Sequence, residues 1–264
     1  MNFTRMMRVK FLAAGLRLLI LMLLTQSLYG QDTFRLLWKK SIIGNNLEKD
    51  RLGQLYLVNE ANELLKLNER GELMAAYNQN RLGPVGRIDA YDPFAVLVYY
   101  PEFQVLQMLD RTLNLQWSLD FNLLDLLEIR VVCASNDKQI WGIDRISNRL
   151  LKFNSGGEIQ TSSPAFSLLS DKIPDFTRLE TAGTQVYAFE SEAGFWVFDQ
   201  FGQFVKKIAL PGIVDYRLLP EKILYRDKFS WQLYDQQSHL SKELDLPLPE
   251  DPFSFLWMEG HWLL

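Results

Sequence analysis

Residues 153–159 read Phe153-Asn154-Ser155-Gly156-Gly157-Glu158-Ile159, and the fold prediction rests on the pattern in this segment. An asparagine followed three residues later by a glycine is turn chemistry. The side-chain oxygen accepts hydrogen bonds from the backbone at the start of the turn, and the glycine adopts a positive φ at its end. Apolar residues flank the turn on both sides. The stretch therefore predicts the tip of a β-hairpin.

The same pattern occurs five times along the chain. Each copy has an apolar residue, an Asn or Asp, two residues, a small residue, one further residue and another apolar residue. The Asn or Asp positions are separated by 42, 44, 45 and 36 residues. They are Asn68, Asp110, Asn154, Asp199 and Asp235. Only Leu113, in the second copy, is not a small residue at its position. Self-similarity at this period indicates a repeat architecture.

Further strands surround each predicted tip. An apolar strand is expected to end eight to ten residues before each tip, at residues 55–58, 96–99, 140–143, 186–189 and 223–225. Another extended segment precedes each of these strands, as at 129–132, and another follows each tip, as at 205–208. Four short strands in roughly 42 residues make one blade of a β-propeller. A helical solenoid of the same period would need apolar residues at a spacing of 3.6.

The ends of the chain predict one more blade. Residues 253–257 and 261–264 resemble the first two strands of a sixth unit, and residues 34–38 form a strand without a blade of its own. Joining the two would close a ring and remove exposed sheet edges. We therefore expect an all-β protein, a six-bladed β-propeller with a composite closing blade made from both termini. Seven blades would leave only about 33 residues each, which is short for four strands and their turns.

The N-terminus predicts export. Four basic residues precede an apolar run at residues 18–24, and a short polar stretch ends at Gly30. This is the order of a secretory signal peptide over residues 1–30, and the run is too short to span a bilayer. We expect residues 31–264 to form a single propeller domain in the periplasm, without a transmembrane span. An uncleaved N-terminal anchor is the alternative.

Composition and charge exclude several classes of function. The chain is 48% hydrophobic and 23% charged, which is ordinary for a globular core. Losing the four basic residues of the leader changes the net charge from −4 to −8. A protein this acidic, with scattered bases, is a poor candidate for binding nucleic acid or anionic lipid. One cysteine, Cys133, rules out an intrachain disulfide, and its apolar context predicts a buried thiol.

One set of polar residues could line a central channel. Four residues recur at the ends of the apolar strands that precede the tips: Asn59, Asp144, Glu190 and Asp227. Converging on the axis, they would suit calcium and a lactonase- or lyase-type enzyme. The favoured interpretation is that each accepts hydrogen bonds from backbone N–H groups at its own strand end. We expect no resident cofactor, and calcium only under the enzyme alternative.

One blade departs from the repeat in a way that predicts a partner surface. In the second blade the polar strand end is replaced by aromatic residues beside a proline: Tyr99, Tyr100, Pro101 and Phe103. Exposed aromatic residues on a rigid backbone are enriched at protein interfaces. Packing of these residues against the next blade is the favoured interpretation, and a partner surface, if the chain has one, is expected here.

The run at 91–103, with residues 140–144 and 194–202, resembles exported β-propeller proteins of Bacteroidota related in pattern to NHL and YVTN-type repeats. The resemblance covers about residues 55–210. It implies a periplasmic or outer-membrane-associated protein that serves an export machine as an accessory or plug subunit, and it implies no catalytic residues.

These observations favour a non-catalytic scaffold that binds an envelope or outer-membrane protein, as a monomer within a complex. A calcium-dependent lactonase or lyase is the alternative. A carbohydrate binder would use tryptophans at the mouth of the channel, but the tryptophans of this chain fit strand packing equally well.

Overall fold

The structure, a computed structural model, describes residues 44–126, 128–244, 256–258 and 261–263. All of these lie in one compact unit, Trp38–Leu264. The leader predicted over residues 1–30 and the strand predicted at 34–38 lie outside the described residues. The described helices are three 3-10 turns, at Asn80–Leu82, Phe121–Leu124 and Phe166–Leu168. No described helix is long and apolar enough to cross a bilayer.

Five four-stranded antiparallel sheets follow one another along the chain and form the blades of a β-propeller. Blade 1 consists of β1 (Gly44–Lys49), β2 (Leu55–Asn59), β3 (Glu63–Leu67) and β4 (Leu73–Asn78). Blade 2 consists of β5 (Arg87–Asp89), β6 (Val96–Tyr100), β7 (Val105–Leu109) and β8 (Leu115–Asp120). Blade 3 consists of β9 (Ile129–Ala134), β10 (Ile140–Asp144), β11 (Arg149–Phe153) and β12 (Ile159–Ser162).

Blade 4 consists of β13 (Arg178–Ala182), β14 (Gln185–Glu190), β15 (Gly194–Asp199) and β16 (Phe204–Ala209). Blade 5 consists of β17 (Asp215–Leu219), β18 (Lys222–Arg226), β19 (Trp231–Asp235) and β20 (Leu240–Leu244). The predicted apolar strands before the tips are the second strands of the blades, and the prediction of all-β blades with four strands each is confirmed.

The prediction of six blades is wrong, because the propeller has five. Among the described strands, β21 (Leu256–Met258) and β22 (His261–Leu263) pair only with each other, in a separate two-stranded sheet. The described residues therefore contain five four-stranded blades and no composite closing blade. The physical reason is that apolar runs near a terminus can form a hairpin without building a blade. Each four-stranded sheet instead contains one copy of the tip motif, and the motif occurs five times.

The tips form as predicted, between the third and fourth strands. In blade 3 the side-chain oxygen of Asn154 accepts hydrogen bonds from the backbone N–H groups of Gly156 (2.9 Å) and Glu158 (3.0 Å). Gly157 has a φ of 83°, and the pairing of β11 with β12 shifts by one residue there. This combination is a turn followed by a β-bulge. The tip of blade 5 differs, because the positive φ falls one residue later, at His239 (59°), without a register shift.

Leu113 fills the glycine position of the second tip, with a φ of 64°. That conformation costs a leucine about 1 kcal/mol. Its side chain, however, is buried in the core between blades 1 and 2, and burying a leucine contributes roughly 2–3 kcal/mol. We therefore expect Leu113→Gly to lower the free energy of unfolding by about 1–2 kcal/mol, measured by urea denaturation. A stabilised Leu113→Gly variant would show that backbone strain outweighs burial.

Apolar side chains fill the spaces between successive blades. Separate buried clusters lie between blades 1 and 2, 2 and 3, 3 and 4, and 4 and 5. Between blades 3 and 4, Phe166 contacts the rings of Phe176, Trp196 and Phe198 at centroid distances of 5.3–6.1 Å. Cys133 lies in the same cluster, so the prediction of a buried thiol is confirmed. Apolar packing thus joins the blades. Polar interactions are therefore to be sought at the inner edges of the blades and in their loops.

Candidate functional site

The first strands of neighbouring blades lie side by side, with β5 contacting both β1 and β9, and β9 contacting β13. Three of these strands carry a charged residue, an apolar or aromatic residue and a second charged residue, as in Arg178-Leu179-Glu180. Alternate residues of a strand point to the same side, so each strand presents two charges together. We call the resulting group the axial cluster. It consists of Glu48, Arg87, Asp89, Arg178, Glu180, Asp215 and Arg217.

Ion pairs join four blades within the axial cluster. Oε1 of Glu48 in blade 1 lies 2.7 Å from a terminal guanidinium nitrogen of Arg87 in blade 2 and 3.5 Å from one of Arg178 in blade 4. Arg178 also contacts Glu180 through Nε and lies 3.9 Å from Oδ1 of Asp215 in blade 5. Between 14% and 22% of each of these side chains is exposed, so solvent screens the pairs only in part.

The electrostatics of the cluster follow from its burial. Burial lowers the pKa of Arg87 and Arg178, but the neighbouring carboxylates outweigh it, so both pKa values are raised and both guanidinium groups stay charged. Burial raises the pKa of the Asp89 carboxyl, which Arg87 opposes. Asp89 also accepts a hydrogen bond from the backbone N–H of Ala134 in blade 3 (2.9 Å). All five blades are therefore connected through this cluster.

Tyr216 lies next to the cluster. Its ring stacks on the guanidinium of Arg178, with 4.8 Å from Cζ to the ring centroid. Burial and the charge of Glu180 raise the pKa of its hydroxyl, which has no hydrogen-bond partner among the described residues. Arg217, the next residue in the chain, forms an ion pair with Asp215 at 3.0 Å. This cluster is not among the sites predicted from the sequence. Three first strands carry charged residues two positions apart, and that pattern could have indicated it.

The chemistry available at the axis is that of paired charges. Glu48, Glu180 and Asp215 each have an arginine as an ion-pair partner, and the pairs of Glu48 and Asp215 with Arg178 cross from one blade to another, so these groups suit the role of joining blades. Among the residues that the structure describes, no group of three or more His, Cys, Asp and Glu side chains could hold a metal ion. By this geometry, the axial cluster connects the blades to one another.

The four residues considered for a channel site each accept backbone hydrogen bonds near their own strand end. Asn59 accepts from Ala61 (3.0 Å) and Glu63 (2.9 Å), and Asp144 accepts from Ile146 (3.2 Å) and Ser147 (2.9 Å). Asp227 accepts from Phe229 (2.7 Å) and Ser230 (2.8 Å). Glu190 accepts from Asp175 at 3.4 Å. They lie at the ends of second strands in blades 1, 3, 4 and 5, whereas the axial cluster lies on first strands.

The residues considered for a partner surface divide into two groups. Tyr99 and Tyr100 are both buried, and the Tyr99 hydroxyl donates a hydrogen bond to the backbone oxygen of Ile129 in blade 3 (2.5 Å). Pro101 packs where a side chain on Gly86 would stand. Phe103, in contrast, is 49% exposed. Tyr99 thus joins blades 2 and 3, Tyr100 packs between blades 1 and 2, and Phe103 reaches the surface.

Phe103 belongs to a larger exposed apolar surface at one end of the propeller. Because successive strands are antiparallel, the loops between second and third strands and the connections to the next blade lie at the same end. At this end of blades 2 and 3 the loops carry large exposed side chains. Four of them form what we call the loop patch: Phe103 (49% exposed), Leu123 (83%), Ile146 (60%) and Leu168 (77%).

Hydrogen bonds tie the loops of the patch together. The side-chain amide of Asn122 donates to the backbone oxygen of Phe103 (2.9 Å), and the backbone N–H of Arg145 donates to the oxygen of Glu128 (3.0 Å). The N–H of Phe166 donates to the oxygen of Asn148 (2.8 Å). The four apolar side chains therefore stand on one connected set of loops rather than on independent segments.

Solved structures similar to this chain are β-propellers. The WD40 domain of Neurospora crassa Pan2 has a TM-score of 0.56 and 11% identity, with 76% of this chain and 65% of that domain covered. The C-terminal WD40 domain of Sif2 has a TM-score of 0.53 and 12% identity, with 80% of this chain covered. The chain spans only 61% of the Sif2 domain, so it covers less than two thirds of either.

A lyase has the same fold. The catalytically inactive virginiamycin B lyase from Staphylococcus aureus, solved with quinupristin, has a TM-score of 0.57 and 12% identity, with 80% of this chain and 74% of that chain covered. The sequence matches no protein family and no curated protein. At these identities the likenesses show the β-propeller fold, which both binding domains and an enzyme adopt.

Proposed function

We propose that this protein is a non-catalytic scaffold of the bacterial envelope that binds another protein through the loop patch. The observation that carries the proposal is the exposure of four large apolar side chains on loops joined to one another by hydrogen bonds. Exposed apolar groups clustered on one surface are typical of protein interaction sites. The proposed location is the periplasm, with a partner in the envelope or outer membrane, and no cofactor is needed.

The polar groups of the axis support a scaffold rather than an enzyme. Glu48, Glu180 and Asp215 each lie within 4 Å of an arginine, which holds them as counter-ions. Burial raises the pKa of the Cys133 thiol, so the thiolate needed for nucleophilic attack is scarce at neutral pH. His239, the histidine whose side chain is described, forms a hydrogen bond with the Tyr234 hydroxyl at a hairpin tip.

A paired set of variants tests the proposal by crosslinking. Leu123→Ser with Leu168→Ser removes two exposed side chains of the loop patch. Leu73→Ser with Leu240→Ser makes the same chemical change at exposed positions on the fourth strands of blades 1 and 5. Because the four leucines are exposed, we expect both doubles to fold, which circular dichroism checks.

Tagged full-length chains are crosslinked in cells of the native organism, and the captured envelope proteins are quantified by mass spectrometry. We expect at least a tenfold loss of one captured envelope protein from the patch double, and recovery of that protein by the control double as by the unchanged chain. Capture that is equal for the two doubles, or capture of no envelope protein by any chain, would contradict the proposed function.

A further inference from the structure

We infer that the segment that docks on the loop patch is basic as well as apolar, an inference that rests on the proposed function. Two acidic residues lie on the same loops as the patch. Glu102 precedes Phe103 and Asp125 lies two residues after Leu123, and both acidic residues are exposed. Neither carboxylate forms an ion pair within the described part of the chain.

The cations at this end of blades 2 and 3 are already engaged. Arg145 pairs with Glu128 at 2.8 Å and Arg130 with Asp175 at 2.8 Å. Arg149 donates to the backbone oxygen of Ser163 (2.7 Å). The charge left for a partner beside the apolar side chains is therefore negative. Complementarity of charge across an interface favours a cationic partner segment and speeds its association.

The backbone under the patch is fixed before any partner arrives. The 3-10 turn that carries Leu123 begins with a hydrogen bond from the N–H of Asn122 to the side chain of Asp120 (3.0 Å). It ends at Asp125 in the left-handed conformation, and the N–H of Leu126 donates to the oxygen of Phe121 (3.1 Å). A backbone held in such a turn loses little further conformational entropy on binding, so a short segment can suffice.

The same charges disfavour two other occupants. A twofold pairing of two copies through this patch brings each surface against its own equivalent, so Glu102 and Asp125 would meet the like charges of the other copy. An anionic lipid surface would repel the same carboxylates. A basic and apolar protein segment satisfies both the apolar and the acidic side chains at once.

Two synthetic peptides of the same length serve as probes. Both repeat leucine at helical spacing, and their polar positions are all lysine in one and all glutamate in the other. Glu102→Gln with Asp125→Asn removes the patch charges without changing side-chain size. The matched control, Glu60→Gln with Glu243→Gln, alters two exposed carboxylates outside blades 2 and 3.

We expect the lysine peptide to bind the full chain, and its affinity to fall about fivefold in the patch-charge double and at least tenfold in the patch-leucine double, Leu123→Ser with Leu168→Ser. The control should bind as the unchanged chain does, and the glutamate peptide should bind at least tenfold more weakly than the lysine peptide. Equal binding of the two peptides, or no change in the patch-charge double, overturns the inference.

Three other outcomes also overturn it. They are binding of phosphatidylglycerol vesicles that the patch-leucine double abolishes, a dimer in sedimentation that the same double dissociates, and an acidic crosslinked segment in the native partner. The last result separates the inference from the proposed function. Loss of the native partner in the patch-leucine double together with an acidic crosslinked segment would leave the proposed function standing and reject only the basic character of the segment.

Discussion

Replacing Glu48 by glutamine is expected to lower the free energy of unfolding by about 3 kcal/mol. Its carboxylate forms ion pairs with both Arg87 of blade 2 and Arg178 of blade 4. Removing the negative charge leaves two partly buried guanidinium groups with one fewer counter-charge each. Breaking a buried pair by removing one partner costs about 3–5 kcal/mol, and the lower end applies because 18% of Glu48 is exposed. Urea denaturation measures the change.

Glu60→Gln is the matched control, because it makes the same change in the same blade on an exposed side chain. We expect it to alter the free energy of unfolding by less than about 0.5 kcal/mol. The loss in Glu48→Gln should persist in roughly 0.5 M NaCl, since salt screens exposed pairs far more than partly buried ones. If Glu48→Gln and Glu60→Gln unfold at the same urea concentration, the axial cluster does not join the blades.

The second large effect is expected from Phe166→Ala. Phe166 lies in the connection between blades 3 and 4, where its ring contacts Phe176, Trp196 and Phe198. Truncating a buried phenylalanine removes its transfer free energy and leaves a cavity, at a cost of about 3–5 kcal/mol. The midpoint of urea unfolding should therefore fall with no change in slope.

The same 3-10 turn supplies the control. Leu168 lies two residues further on and is 77% exposed, so Leu168→Ala should leave stability within about 0.5 kcal/mol of the unchanged chain. The proposed function adds that Leu168→Ala weakens partner capture, whereas the loss in Phe166→Ala comes from unfolding. Equal destabilisation by the two substitutions would mean that this connection does not pack as described.

Local chemistry explains why the blades could be read from the sequence. At each tip an Asn or Asp forms side-chain hydrogen bonds to its own turn, as Asn154 does to Gly156 and Glu158. These contacts span four residues and need no other part of the chain, so the pattern alone carries them. The second strands were equally readable, because runs such as Val96–Tyr100 are buried along their whole length.

Which aromatic residues at the end of a strand are exposed could not be predicted from the sequence in the same way. Tyr99, Tyr100 and Phe103 belong to one aromatic run, but the two tyrosines pack between blades and the phenylalanine faces outward. Blade 1 covers Tyr100, whereas blade 3 covers Tyr99 and supplies the acceptor for its hydroxyl. The loop patch depends in the same way on loops from two blades, and the sequence alone places only Phe103 in it.

The repeating unit of four strands and a hairpin tip follows from the sequence, because it depends on residues close together in the chain. The number of units and the contacts at the axis follow from the tertiary structure. Glu48 and Arg178 are 130 residues apart, and their contact exists because the blades bring their first strands together. Pairing between distant residues depends on packing of whole sheets, which no local pattern encodes.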